Sequence, residues 1–517
     1  MLGQLIRLAR ISHKLTSEGL AERAGISRGL LYRIEKGDPG CAIGSVFEVA
    51  ASSAFACSMP TSRRLRRASP ATKQRWRCCP NRSANRPGPS KMTSESHHDE
   101  AYVWIWLPGQ TTPVVAGVLA RADDQLVFNY GRSYLTRNDA IAIYDTELPL
   151  KPGALPLLPG LSMPNCIRDG APDAWGRRVI INRKLGAQGR QIDPIELDEL
   201  TYLLESGSDR AGALDFQLSP AKFVPRTSAE ARLDDLLHAA NKVEEGVPLN
   251  ADLDQALFHG SSLGGARPKA LITADDRKYV AKFSSRNDEY SVVKAEYIAM
   301  RLADVVGISV APVRLVGAAG KDVLLVERFD RERTGHEWRR KAMVSALTLF
   351  GLDELMARYA SYEDLATIIR HRFQSPADTL HELFRRLVFN ILCGNTDDHA
   401  RNHAAFWDGR SLKLTPAYDI CPQQRAGNEA TQAMLIIGDR RFSQLSVCLK
   451  AAPMFLLSAE RAVGMMSNQI KKILTKWEAI CDEAGLSTVD RQLFWRRQFL
   501  NPFAFEGAPP EIAKLVE

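Results

Sequence analysis

Asp397, Asn402 and Asp419 stand in the stretches GNTDDHARN and LTPAYDI, the second five residues after the first and the third seventeen after the second. A carboxylate that accepts a proton, followed by an amide oxygen and a further carboxylate that hold Mg2+, is the set that phosphoryl transfer to a hydroxyl requires. Asp397 would be the proton acceptor, with Asn402 and Asp419 as metal ligands. Asp and Asn are also common turn formers, so a solvated loop is the plainer reading of each alone. His399 and His403 are four residues apart, a spacing that suits zinc on a helix. No Glu or third ligand follows at the usual distance, and zinc is set aside.

Three further pieces precede these residues in a consistent order. In SSLGGARPKALI, from Ser261 to Ile272, paired glycines let backbone N–H groups approach an anion, though the spacing is not that of a Walker A loop. In KYVAKFSS, Lys282 lies within an alternating strand whose default is to send a lysine to solvent. The amphipathic helix YSVVKAEYIAMRLADVVG then carries Glu296. A strand Lys beside a helix Glu is how protein kinases hold the ammonium that clamps phosphates. In DVLLVERFDRE, Val323 to Val326 read as a buried strand. Glu327, Arg328 and Phe329 emerge where a two-lobed fold would cross between lobes and meet an adenine edge.

The elements around these pieces fall into three regions. Residues 1–51 contain LTSEGLAERAGISRGLLYRIEKG, two short helices about a turn. Leu20, Ala21 and Ala24 lie on one face, Gly25 is in the turn, Ser27 is an N-cap and Gly37 ends the second helix. Residues 52–98 are rich in Ser, Arg and Pro with no periodicity, and are expected to be a disordered basic linker. They also read as out-of-frame translation joining two neighbouring genes, since a second recognisable protein opens at Met92. Residues 99–260 begin with strands, AYVWIWLPG and PVVAGVLARADDQLVFNYG, broken at Pro-Gly and Asp-Asp turns. Residues 261–332 supply strand pairs around a long helix, and 333–517 are mostly helical. The expected class is α+β: a two-lobed, protein-kinase-like fold with a β-rich N-lobe and an α-helical C-lobe, preceded by a small all-α helix-turn-helix domain.

On DAWGRR, GSDRAGALDF, SSLGGARPKA, VERFDR, GNTDDHARN and LTPAYDI, residues 100–517 resemble the HipA family, serine/threonine kinase toxins of bacterial toxin–antitoxin systems. Residues 1–51 resemble HipB, the helix-turn-helix antitoxin of the phage-repressor-like class. The resemblance implies ATP and Mg2+ as cofactors. It makes Gly264, Gly265, Ala266, Arg267, Pro268 and Lys269 the phosphate loop, puts Lys282 on the nucleotide phosphates with Glu296 as its partner, and makes Glu327, Arg328 and Phe329 the hinge. His399, Ala400, Arg401 and Asn402 would line nucleotide and metal, and Tyr418 with Asp419 would complete the site. Ser262 would be the autophosphorylated residue that silences the kinase, with Ser261 as the alternative acceptor. Ser27, Arg28, Gly29 and Arg33 would approach operator DNA. A protein substrate such as an aminoacyl-tRNA synthetase and a HipB-like antitoxin are the implied partners. Asp398 stands where relatives commonly carry Gly. A second carboxylate there would raise the pKa of Asp397 or help to hold a second metal.

The 517-residue chain is 45% hydrophobic and 25% charged, a globular balance. Its net +8 is misleading about the folded parts. Residues 49–91 hold ten Lys and Arg and no acid, so the remainder carries −2 once that segment's +10 is taken from the total. No apolar run of membrane-spanning length and no signal peptide are visible, and nine Cys show no CxxC pair. A reduced, cytoplasmic protein is expected. Two alternatives keep the kinase-like fold: a small-molecule phosphotransferase, and a non-enzymatic nucleotide-sensing transcriptional regulator.

Overall fold

The computed structural model describes residues 98–185, 197–226, 231–249, 267–285, 288–425 and 427–517, with residues 6, 10, 17, 20, 21 and 28–35 of the N-terminal region. The chain divides into two compact units, Met1–Lys91 and Met92–Glu517. In the first, Arg28–Glu35 is helical, where the sequence places the second helix of the pair. Leu20, Ala21, Leu31 and Ile34 are buried, and Arg10 Nε lies 2.6 Å from Glu35 Oε1. Arg33 is exposed on that helix. Ser27, the side chain of Arg28 and the linker at 52–97 lie outside the described residues, and Gly29 is described only as part of the helix.

The second unit opens with an antiparallel sheet of β1 (Glu100–Ile105), β2 (Val114–Ala122), β3 (Gln125–Tyr130) and β4 (Leu214–Gln217), ordered β3-β2-β1-β4. Ala122 pairs with Gln125, so Asp123 and Asp124 form a two-residue turn with Asp123 at φ 54°. The twist of a tight hairpin demands that sign of φ, which Asp tolerates better than most residues. Between β3 and β4 lies α1 (Ala174–Leu185).

After α2 (Leu233–Glu245) comes a second sheet of β5 (Lys269–Ala274), β6 (Arg277–Phe283), β7 (Val313–Ala318) and β8 (Lys321–Glu327), ordered β5-β6-β8-β7. Between β6 and β7 runs α3 (Val292–Val305), whose N-cap Ser291 accepts the Lys294 N–H. Leu236, Leu237 and Val243 of α2 share a cluster with Trp175 and Val179 of α1 and with Ala281, Phe283 and Val323 of the sheet. Side chains alternate along a strand, so Lys282 leaves β6 on the opposite face from Ala281 and Phe283. That face meets α3.

A hairpin of β9 (Arg331–Thr334) and β10 (Glu337–Arg340) leads to a small sheet of β11 (Met343–Ser345), β12 (Ala404–Trp407) and β13 (Leu412–Leu414). The remainder is largely helical, dominated by α4 (Pro376–Cys393) and α5 (Ala459–Glu483). In α4, Leu380, Leu383, Phe384, Leu387, Val388 and Ile391 recur at helical spacing and are buried. Each such side chain contributes about 1.5–3 kcal/mol through loss of apolar surface from water. One core cluster runs from Ala101 to Ile512, so the segments 99–260, 261–332 and 333–517 share packing. Asp419 stands on no strand. Ala417 makes an isolated bridge to Val310, and Asp419 then takes φ 59° in irregular chain.

Candidate active site

Lys282 is nearly enclosed, and its Nζ lies 2.6 Å from Glu296 Oε1 and 2.5 Å from Asp419 Oδ1. The strand, the helix and the segment after β13 therefore meet at one ammonium. Burial alone would lower the pKa of Lys282, but Asp419 and Glu296 outweigh it and carry it upward. Lys282 in turn holds Asp419 down at about 2 despite burial. Both groups are charged at neutral pH. The left-handed φ of Asp419 is rare for a residue with a side chain and clusters at functional sites.

Asp397 follows the end of α4, where Gly394 adopts φ 72° and closes the helix with its N–H on Ile391 O. A Cβ at Gly394 would stand 2.7 Å from Gln498 O, and Leu500 N–H donates to Leu392 O at 2.7 Å, so the C-terminal segment abuts the helix end. The loop that follows is tied down at several points. Asn395 Nδ2 donates to Asn390 Oδ1 at 3.0 Å, Asn402 Nδ2 to Asp397 O at 3.1 Å, and the Tyr418 hydroxyl to Arg401 O at 2.8 Å. Because Asn402 spends its amide N–H on the loop, its oxygen is the atom left to offer a ligand. Partial burial raises the pKa of Asp397; His399 opposes the shift, while Asp419 and Asp398 add to it.

Asp398 is not a second metal ligand. Its carboxylate receives the Tyr362 hydroxyl and lies 3.0 Å from His403 Nε2, all three side chains being buried. His403 is thereby committed as well. Among the described residues no group of three or more His, Cys, Asp or Glu could hold a metal ion.

A cavity of about 590 Å³ opens between the lobes, lined by Lys282, Asp419, Asn402, His399, Arg401 and Tyr418 with Glu327 to Asp330 of the crossover. Its size suits a nucleotide. Val280, Val326, Phe329 and Ala404 give part of it an apolar wall, and the Phe329 ring sits 5.6 Å from that of Tyr418. Ala400 is buried beneath the loop. Asn402 and Asp419 present hard oxygen donors to the same space, and the Lys282 ammonium shows that Asp419 already accepts a cation there. One carboxylate and one amide oxygen fit Mg2+, which takes its other ligands from phosphate and water.

Gly264, Gly265, Ala266, Ser261 and Ser262 lie outside the described residues. Arg267 pairs with Asp288 at 2.6 Å, the Pro268 carbonyl accepts Phe283 N–H, and Lys269 is buried on β5. Glu327 pairs with Arg277 at 2.6 Å. The Arg328 guanidinium is buried between Asp209 at 2.9 Å and Asp330 at 2.7 Å. The sequence reading also missed a wall of the cavity built from 166–177 and 211–214, including Asp169 and Asp173. Asp169 accepts from Ser345 N–H, Ser345 Oγ and Thr348 Oγ1, each at 2.7 Å, which binds that segment to the start of the helical half. DAWGRR and GSDRAGALDF supply part of this wall, but nothing in their pattern says which side chains face inward.

Residues 105–217 match the family model of the HipA N-terminal domain, and residues 261–484 that of the HipA-like C-terminal domain. A curated relative named "Putative kinase Y4mE", from Sinorhizobium fredii, is 31% identical over 178 residues, 31% of this chain and 41% of the relative. The serine/threonine-protein kinase toxin HipA of Shewanella oneidensis is 25% identical over 183 residues, 31% of this chain and 42% of that one. The chain thus spans about half the length of the curated relatives it matches, from 41% to 52%. A solved structure of the HipA, HipB and operator DNA complex from the Shewanella oneidensis toxin–antitoxin system aligns with a TM-score of 0.56. It shares 17% identity and covers 80% of this chain and 99% of its own. That likeness is one of fold. Among the described residues no helix is long and apolar enough to cross a membrane.

Proposed function

From a chain that carries a HipA N-terminal domain and a HipA-like C-terminal domain, we propose an ATP- and Mg2+-dependent serine/threonine protein kinase of the toxin–antitoxin type. The observation that carries this reading is the Lys282 ammonium bridging Glu296 and Asp419 at the wall of a nucleotide-sized cavity. Phosphoryl transfer is mostly positioning and charge stabilisation, and these groups supply both. Lys282 would bind the phosphates, kept in place by Glu296. Asp397 would accept the hydroxyl proton, its orientation fixed by the grip of Asn402 on its carbonyl. Phe329 and Val326 would flank the adenine, and Asn402 with Asp419 would hold the Mg2+ that neutralises charge on the phosphate oxygens.

Ser262, with Ser261 as the alternative, would be the acceptor in self-modification, and a protein such as an aminoacyl-tRNA synthetase the external substrate. The N-terminal unit would meet operator DNA through Ser27, Arg28, Gly29 and Arg33, and a HipB-like antitoxin would be a partner. Mass spectrometry after incubation with ATP and Mg2+ tests the reading. Phosphate is expected on Ser262 or Ser261 in the parent, with a loss of about 10²–10⁴ in rate in Asp397→Asn. Equal labelling of the two proteins would refute Asp397 as the proton acceptor.

A further inference from the structure

Lys269 and Lys282 stand directly opposite each other on β5 and β6. Facing residues of an antiparallel pair project to the same side of the sheet, so two ammonium-bearing side chains rise together on the cavity face. Lys282 has Glu296 and Asp419. The carboxylate beside Lys269 comes from outside this sheet and its helix: Asp173 Oδ2 lies 3.9 Å from Lys269 Nζ, and both side chains are less than a tenth exposed. Asp173 stands just before α1, within the HipA N-terminal domain, and lines the cavity with Lys282 and Asp419. Its Oδ1 accepts the Gly176 N–H that opens α1, while its Oδ2 is buried without a hydrogen-bond partner among the described residues. Two residues on, Trp175 Nε1 donates to the Lys269 carbonyl at 3.0 Å. The start of α1 therefore grips Lys269 by side chain and by backbone, where β5 leaves the segment expected to cradle phosphates.

We propose that Asp173 is a positioning residue for the phosphate end of the cleft, holding Lys269 as a second phosphate-binding cation much as Glu296 holds Lys282. Burial, with repulsion from the neighbouring Lys282, lowers the pKa of Lys269, and the attraction of Asp173, Asp419 and Glu296 limits that fall. A polyphosphate entering beside Lys282 meets a charge already fixed in place, so little ordering remains to be done on binding. The N-terminal domain is on this account part of the nucleotide site, and the inference rests on the kinase reading above.

The test compares ATP and adenosine affinities, by titration calorimetry, in the full-length parent, Asp173→Asn, Lys269→Met and the double variant. Asn keeps an oxygen for the Gly176 N–H and removes only the charge. Removing one charge-assisted hydrogen bond to the phosphates should weaken ATP binding about ten-fold in each single variant. Adenosine affinity should be unchanged, which also reports an intact fold, and the double variant should be no weaker than Lys269→Met. ATP binding unchanged in Asp173→Asn, or losses that add in the double variant, would overturn the inference alone. A parent that binds neither ligand would overturn the kinase reading beneath it.

Discussion

At the scale of single residues, the site separates two carboxylates by environment. Asp419, against the Lys282 ammonium, is held ionised far below the usual range. Asp397, partly buried and facing two other acids, is raised. Groups pushed apart in this way suit different tasks, a permanent ligand and a proton acceptor. A proton acceptor must be deprotonated, so kcat should fall as pH drops through the raised pKa of Asp397. The acid limb of a kcat profile from pH 4 to 8 is expected above the ordinary Asp value of about 3.9. A limb at or below pH 4 would remove Asp397 from the role. Asp398 adds to that upward shift only as the smallest of its causes, because Tyr362 and His403 hold its charge in the core.

At the scale of elements, the connection from β8 to β9 is riveted to the segment before β4. Arg328 and Arg331 each contact both Asp209 and Asp330, and none of the four side chains is more than a tenth exposed. Removing one carboxylate strands buried cations, so Asp330→Ala should lower stability by about 3–5 kcal/mol in urea unfolding. Burial alone would raise the pKa of Asp330, but Arg328 and Arg331 prevail and set it at about 2. A depressed native value means its contribution is complete above the unfolded pKa near 4. That contribution is lost as pH falls towards 2. The parent should therefore show a steeper loss of stability than Asp330→Ala over that window, and parallel curves would contradict the assignment. The local elements were legible beforehand. Period-two alternation gave β6, an amphipathic run gave α3, and the Asp123-Asp124 pair marked the β2–β3 hairpin turn. The ion pairing of the Arg328 side chain was not legible, because its partner Asp209 is 119 residues away and no periodicity reports so distant a pair. Asp173 escaped notice for the same reason, since in sequence it is only a helix cap.

At the scale of the molecule, the basic charge concentrates in residues 49–91, while every residue placed at the cleft lies in the unit Met92–Glu517. DNA binding and phosphoryl transfer are thus expected to be separable. In a gel shift with upstream DNA, Arg28→Ala and Arg33→Ala should weaken binding, and the parent's affinity should fall steeply with salt as phosphate contacts release counterions. If instead deletion of residues 52–91 abolishes the shift while both Arg variants leave it unchanged, the basic segment binds and the helix does not. The close approach of Gln498 to Gly394 has a consequence for how the protein comes into being. The footing of the turn that carries Asp397 is supplied by chain made well after that turn, at Gln498 and Leu500. A polypeptide cleaved between Gly394 and Gln498 lacks that footing, so the turn is expected to be held in place only once the later segment has folded back onto the helix end.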